Sequence, residues 1–373
     1  MDLTFSPQHQ AFRSRVRDWL AAHVPAEPLP SMDTAEGFER HRAWERTLAA
    51  DRWSAVSWPR EYGGRGADLL EWLIFEEEYW ASGAPGRVSQ NGIFLLAPTL
   101  LAYGTDEQKR RHLPRMARGD DIWAQAWSEP EAGSDLAAIR ATAVRDGDGW
   151  RLDGQKTWSS RAAFADRCFG LFRSDPDAER HRGLTYFMVP LEAPGVTVRP
   201  IAQLDGEAGF AEIFFDGVRV GDDAVLGEPG QGWRVAMATT GSERGLTLRS
   251  PGRFMATADR LLALARGSAD AALRDRAAAA WCDADAYRLH TFRAAADLAE
   301  GIDPGAASSL TKVFWSELDL RMHELALELL GPDAPAAGPW LDGFLFALAG
   351  PIYAGTNEIQ RNIIAERVLG MPR

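Results

Sequence analysis

The chain reads as a mainly α protein with a β domain set in its middle. Three observations carry that reading. Apolar residues recur at helical spacing as far as about residue 120, short β-branched and aromatic runs bounded by Gly, Pro and Asp fill 122–226, and long helical patterns resume from 233. The expected architecture is an N-terminal helical domain over 1–121, a small β-barrel-like domain over 122–230 and a C-terminal four-helix bundle over 231–373.

Ser6 caps the first helix with Pro7 at its first position, and Phe12, Val16, Trp19 and Leu20 then repeat at helical spacing. A polar, proline-rich break at 25–30 ends it. Helical spacing returns over 42–50, 69–82 and 106–116, separated by turn signals such as those of 62–66. In the second of these segments Trp72, Phe75, Tyr79 and Trp80 mark helix-on-helix packing rather than a site. The runs LTYFMVP, GVTVRPI and AEIFFDGVRV are strands. After the turn-rich GEPGQG, helices are expected over 233–247, 252–266, 271–298 and 306–330. In the last, Leu310, Val313, Phe314, Leu318, Leu325 and Leu329 mix with Glu317 and Arg321, which fits packing on two sides, one of them open to another subunit.

Composition narrows the function classes. The 373 residues, 46% hydrophobic and 25% charged, suffice for two or three domains with substantial cores. A formal charge of −12 opposes nucleic-acid binding, which needs a basic footprint to displace counterions. Cys168 and Cys282 lack C-x-x-C spacing, so neither a disulfide framework nor a metal site is indicated, and a reducing compartment suits the chain. The first twenty residues carry charges throughout, and no run of about 18 apolar residues occurs. No membrane association is expected, and the cytoplasm is the expected location.

Two motifs carry chemistry. In AWSEPEAGSD (126–135), small residues surround a proline turn, so backbone N–H groups can approach a polar ring edge. In DGWRLDGQKTWSS (148–160), Trp150 and Leu152 alternate with polar neighbours, Asp153-Gly154 reads as a tight hairpin turn, and Lys156 and Trp158 lie on the return strand. Trp158 then either fills core, as most hairpin tryptophans do, or lies against a planar heterocycle. No strand followed by G-x-G-x-x-G at a helix start is present, so a Rossmann nicotinamide site has no support.

With YGTDEQKRRHLPRMARGD (103–120), FFDGVRVGDDAVLGEPGQGW (214–233) and IYAGTNEIQRNIIAERVLG (352–370), these motifs stand in the order and spacing of the acyl-CoA dehydrogenases, a family the chain resembles over nearly its whole length. The resemblance implies FAD and α,β-dehydrogenation of an acyl-CoA thioester. A carboxylate takes the α-proton, the β-hydrogen leaves as hydride to flavin N5, and electrons pass to an electron-transferring flavoprotein. By motif position it implies a flavin site of Gln125, Trp127, Ser128, Gly133, Ser134, Trp158, Ser160, Thr356 and Glu358, with Ser134 also near the thioester and Ser160 near flavin N5. Thr356 read alone is a plain helix cap.

The chain departs from the commonest family pattern at the base. Many members resemble Y-E-G-T near the C-terminus, but here Tyr353-Ala354-Gly355-Thr356 offers no carboxylate at 354. Other members, including isovaleryl-CoA and long-chain acyl-CoA dehydrogenases, carry the base on a helix just after the β domain. There this chain has Gly241-Ser242-Glu243-Arg244-Gly245, so Glu243 is the candidate, with Arg244 among the substrate contacts. Read without the resemblance, Glu243 is an ordinary solvated helix carboxylate. Glu129 and Glu358 fit a base less well. The backbone N–H of Ala354 would hold the thioester oxygen, a role that needs no side chain.

A second departure concerns the far half of the cofactor. Family members resemble R-x-x-F-G and Q-x-x-G-G where this chain has LRDRAAAAWCDADAYRLH (273–290) and Glu328-Leu329-Leu330-Gly331-Pro332. Either a homo-oligomer holds the AMP half differently, or a related chain completes the site in a heterotetramer. Two alternatives to a self-sufficient dehydrogenase follow: a half-site subunit of a heteromeric enzyme, and a flavin oxidase or monooxygenase on the same scaffold.

Overall fold

The structure is a computed structural model that describes residues 4–244, 250–302, 305–334 and 338–372, the side chains of 241–244 excepted. In chain order, α1 (Pro7–His23), α2 (Ala35–Ala50), α3 (Leu69–Ala81), α4 (Ala97–Tyr103) and α5 (Asp106–Ala117) come first. Strands follow: β1 (Trp123–Ala126), β2 (Thr142–Asp146), β3 (Gly149–Ser160), β4 (Arg167–Arg173), β5 (Leu184–Pro190), β6 (Val196–Ile201) and β7 (Phe210–Gly221). Helices resume as α6 (Gly232–Arg244), α7 (Pro251–Ala265), α8 (Ala271–Ala299), α9 (Ser308–Leu330), α10 (Pro339–Ala347) and α11 (Asn357–Ile363). The helix, sheet, helix order is the expected one.

Local chemistry explains where helices begin. The Ser6 hydroxyl accepts the His9 N–H at 3.2 Å, with Pro7 as the first helical residue. Asp68 with Glu71 and Thr105 with Gln108 form reciprocal capping boxes on α3 and α5. The helix expected over 42–50 begins earlier, at Ala35, because the Thr34 side chain caps it through Gly37 N–H at 3.1 Å. Residues Asn91–Leu96 form a π-helical stretch that the periodicity does not announce.

The chain forms two compact units. One joins Pro25–Gly66 to Pro85–Glu243; the other joins Met1–Val24, Ala67–Ala84 and Arg244–Arg373. In the first, the sheet runs β1-β4-β2-β3-β7-β6, with β5 also paired to β4. β1 and β4 are parallel, while the long β3–β7, β4–β5 and β6–β7 ladders are antiparallel. The interior of the sheet is filled by Trp150, Phe172, Phe187, Ile213, Phe215 and their neighbours. β5 is buried on both faces, which is why LTYFMVP reads as a continuous run and not an alternation.

One expected feature is overturned. Asp153-Gly154 is not a hairpin turn: β3 runs unbroken through it, and the β2–β3 connection turns at Gly147, where φ is +64°. Gly154 instead occupies a β-bulge at φ +139°, and a Cβ there would sit 2.5 Å from that of Ala141. Asp153 accepts the Gly217 N–H at 2.8 Å across the ladder to β7. A turn-like dipeptide thus serves a bend within a strand.

In the second unit, α7, α8 and α9 pack around Phe254, Tyr287, Trp315, Leu318 and Met322. Gly252 permits close approach to α3, since a Cβ there would lie 2.6 Å from the Glu76 carbonyl oxygen. Arg13 and Arg288 both bind Glu77, tying α1 and α8 to α3. Trp72, Phe75 and Tyr79 are buried, as packing residues should be. On α9, Leu318 and Leu325 are buried, whereas Leu310 and Phe314 remain 47% and 37% exposed. No helix among the described residues is long and apolar enough to cross a membrane.

His112 on α5 is 3% exposed and meets Trp123 edge-on at 5.4 Å. Burial, and then the charges of Arg167 and Arg111, lower its pKa from 6.5 to about 4. The unfolded chain therefore takes up a proton as pH falls below 6.5, while the folded chain does not until about 4. Across that window His112 should cost the fold about 3 kcal/mol. Urea unfolding of wild type and His112→Gln between these pH values checks it: the wild-type curve should fall more steeply, and parallel curves would sink the assignment.

Candidate active site

β1 brings the chain through half-buried Gln125 to Trp127, which packs edge-on against Phe169 and Tyr186 at 6.4 and 6.3 Å. The chain then folds into a tight loop in which Glu129 and Ala132 exchange both backbone hydrogen bonds at 3.0 Å. A buried ion pair shapes this loop. Lys156, fully enclosed on β3, donates from Nζ to Glu129 Oε1 at 2.8 Å and to the Leu171 carbonyl at 2.6 Å. Glu129 also accepts the N–H groups of Arg140 (2.6 Å) and Ala141 (2.9 Å). Burial lowers the Lys156 pKa, and the charge and hydrogen bond of Glu129 oppose that shift. Glu129 is thereby a structural anchor whose oxygens are engaged.

The loop is fastened to β3 by Thr157 N–H donating to the Ser128 carbonyl at 2.9 Å. One residue on, Trp158 has φ +57°, a left-handed conformation that costs a bulky residue on the order of 1–2 kcal/mol. It lies where the β3–β7 register shifts, and a bulge re-aims its side chain. The indole is 60% exposed and touches Phe210 edge-on at 5.9 Å. Of the two readings of Trp158, core filling is excluded. Arg161 follows at φ +53°, with Nε donating to Asp33 at 2.7 Å. Between them Ser159 is buried and Ser160 half-buried.

The sheet unit therefore brings Trp127, Ser128, Trp158 and Ser160 together where the loop joins β3. Gly133 and Ser134 lie farther along the loop and are exposed. A Cβ at Gly133 would meet nothing within 4 Å, so the protein's own packing does not require glycine there. The Trp127 indole N–H is buried and finds no acceptor among the described residues.

In the helical unit the segment before α11 makes a turn with Ala354 at φ +56° and Gly355 at φ +78°. Gln360 reaches back from α11, donating from Nε2 to the carbonyls of Ala354 (3.2 Å) and Gly355 (3.3 Å). Asn357 N–H donates to the Pro351 carbonyl at 2.8 Å, and its side chain accepts from buried Lys312 at 2.7 Å. The turn's carbonyls are thus directed inward, and no acceptor among the described residues takes the Ala354 N–H. Thr356 caps α11 by accepting the Ile359 N–H at 3.2 Å, while Glu358 is exposed, 3.8 Å from Arg361. Glu243 and Arg244 end α6, and their side chains lie outside the described residues.

Lys156 and Gln360 do not stand out in sequence as site-building residues. Each reads as an ordinary polar residue of its element, and only the pairing across 27 positions, or the reach back over a turn, reveals its part.

Family models for the N-terminal, middle and C-terminal domains of acyl-CoA dehydrogenase match residues 6–120, 124–218 and 230–369. Acyl-CoA dehydrogenase IpdE1 of Mycobacterium tuberculosis is 42% identical over 380 residues, covering 98% of each chain. Among solved structures, the Tcur3481-Tcur3483 steroid ACAD superposes with a TM-score of 0.89 at 29% identity over 100% of both chains. The ChsE4-ChsE5 complex from Mycobacterium tuberculosis gives 0.86 at 32% identity, again over 100% of both.

Removing Lys156 should expose how far the loop depends on it. Lys156→Met leaves a buried, unpaired carboxylate and should lower unfolding stability by about 3–5 kcal/mol, whereas Lys156→Met with Glu129→Leu should recover much of that loss. Urea denaturation monitored by tryptophan fluorescence reads both. A single variant as stable as wild type would contradict the anchoring role.

Proposed function

The chain belongs to the acyl-CoA dehydrogenase family, and from that premise we propose that Glu243 removes the α-proton of a CoA thioester while FAD accepts the β-hydride and an electron-transferring flavoprotein receives the electrons. As a member it is an oxidoreductase acting on acyl-CoA. One observation carries the finer reading. The turn at 353–356 lacks a carboxylate at 354 yet presents an Ala354 N–H with its neighbouring carbonyls tied away, so it suits holding the thioester oxygen and leaves proton removal to another residue.

Glu243 stands one helical turn after Thr239, which is buried and bound to Thr99 Oγ1 at 2.8 Å. The other end of α6 is equally fixed: the Gly230 N–H donates to Thr185 at 2.8 Å, and a Cβ on Gly232 would lie 2.7 Å from β5 backbone. A helix held at two points is a suitable support for a base that must reach one carbon atom.

The residues of the sheet unit fit a flavin. Trp158 offers an open aromatic face, the Trp127 N–H a buried donor, and Gly133 and Ser134 an uncrowded backbone. With Gln125, Ser128, Ser160, Thr356 and Glu358 they would hold FAD, which when bound supplies the hydride acceptor. Ser134, Arg244 and the Ala354 N–H would contact the thioester. The three-part division at 1–121, 122–230 and 231–373 belongs to the same reading.

A second chain completing the enzyme is favoured by two observations. No R-x-x-F-G stands within α8, and Leu289, Leu298, Ile302, Leu310 and Phe314 leave apolar surface on the helical unit. Two of the similar solved proteins are named as two-chain assemblies, one of them a steroid enzyme, which supports a heteromeric enzyme for a bulky acyl-CoA. The reading rests on a small residue at 354 as well.

Two measurements decide between the parts of this proposal. Anaerobic titration with acyl-CoA should bleach the flavin of the wild-type holoenzyme, and Glu243→Gln should slow that bleaching by about 10²–10⁴-fold with FAD retained; an undiminished rate would remove Glu243 from the mechanism. Purified alone, the chain should hold less than one FAD per subunit and gain it when co-expressed with a related partner chain, as read by absorbance and native mass. A full complement of FAD in the lone chain would instead indicate a homo-oligomer.

A further inference from the structure

Ala354 is the only non-glycine residue at positive φ among the described residues of the helical unit, and Gly355 follows in the same region. Such a pair of residues does not hold itself, because an alanine there relaxes readily to negative φ when its surroundings loosen. Gln360 fixes the two carbonyls from below. The other side of the turn is fixed through Tyr353. Its ring stacks on Trp315 at 5.9 Å with 27° between planes, and Phe346 lies at 6.3 Å.

Behind Tyr353 stands a buried charge pair that the proposed chemistry does not use. Arg253 of α7 binds Asp319 of α9 through Nη2 and Oδ2, and Asp319 is fully buried. Phe346 links this pair to Tyr353, since its ring lies against both Arg253 and the Tyr353 ring. The flat face of the guanidinium covers Phe346 of α10 at 5.3 Å and Phe254 at 5.1 Å. One side chain therefore touches α7, α9 and α10, and reaches the turn through Phe346. Stability alone does not account for it, since a buried ion pair surrounded by Trp315, Met322 and Phe254 is commonly no better than an apolar filling. What a guanidinium adds is a rigid plane with donors in fixed directions.

We propose that Arg253, oriented by Asp319, is a positioning residue that sets Tyr353 and through it the direction of the Ala354 N–H. This rests on the reading in which that N–H holds the thioester oxygen. Arg253 touches neither the thioester nor the base. Its effect is on the acidity of the α-carbon, which depends on how well the oxygen is held as negative charge develops there.

The experiment is α-hydrogen exchange in D2O, followed by proton NMR, on the FAD-loaded enzyme with its partner chain if one is needed, using octanoyl-CoA and cholanoyl-CoA. With the flavin reduced beforehand by dithionite under nitrogen it can accept no hydride, so exchange reports proton removal alone. Arg253→Lys, which keeps the charge but loses the planar fork, should exchange about 10²-fold more slowly at saturating thioester, with FAD content and KM near wild type. Phe346→Leu removes the ring that joins Arg253 to Tyr353 and should show a smaller loss in the same direction. Wild-type exchange in a folded Arg253→Lys or Phe346→Leu protein overturns the inference and leaves the proposed function standing. Wild-type exchange in Glu243→Gln overturns the assignment of the base, a separate result.

Discussion

The pairing of Lys156 with Glu129 is the constraint on which the sheet unit's candidate site depends. An ammonium with no exposed surface would lose its proton or unfold its surroundings without a carboxylate beside it. Glu129 also collects two backbone N–H groups from the approach to β2, so one carboxylate ties the 127–134 loop both to β3 and to the start of β2. Once these are fixed, the Ser128 carbonyl falls opposite Thr157 and the next residue is the displaced Trp158. Loop anchor and exposed aromatic face are thus consecutive along β3: Thr157 is bonded to the loop, and Trp158 meets the solvent.

A comparable division of labour governs the helical unit. The turn before α11 carries no reactive side chain at 354, so any contribution of that residue must come from its backbone. Backbone direction is set by everything around it: Gln360 beneath, Asn357 linked to Lys312, and Tyr353 against Trp315. Several buried polar side chains of the bundle bind at this turn: Lys312 and Ser316 reach Asn357, and Gln360 reaches the turn carbonyls. A bundle built for stability alone would have little reason to place them there.

Much of the fold is legible in the sequence because its determinants are local. Ser6, Asp68 and Thr105 cap helices through bonds to residues three positions on, and β5 announces itself as seven consecutive strand-forming residues. Asp153-Gly154 misleads because its composition suits either a turn or a bulge, and the choice is made by pairing with β7, about sixty residues away in sequence. The site is legible in a different way. Nothing in the spacing of Trp158 distinguishes a core residue from an exposed one, and it is the ordered series of family motifs that points to a cofactor. The structure adds the positive φ and the open ring face. Glu243 rests on its motif and on the anchoring of α6, since its side chain lies outside the described residues.

Strain at Trp158 and at Ala354 has opposite consequences for evolution under heat. Both residues occupy a region of backbone space that glycine enters freely, so a population selected only for thermal endurance would drift toward glycine at either place. At 354 that drift would leave the amide in its place, and the lineage could keep its chemistry while hardening. At 158 it would delete the aromatic face and leave a more durable protein with less to offer a flat ligand. Tryptophan at 158 in a heat-adapted descendant would therefore be a fossil of continued use, whereas alanine at 354 would record only that the hardening step had not yet been sampled.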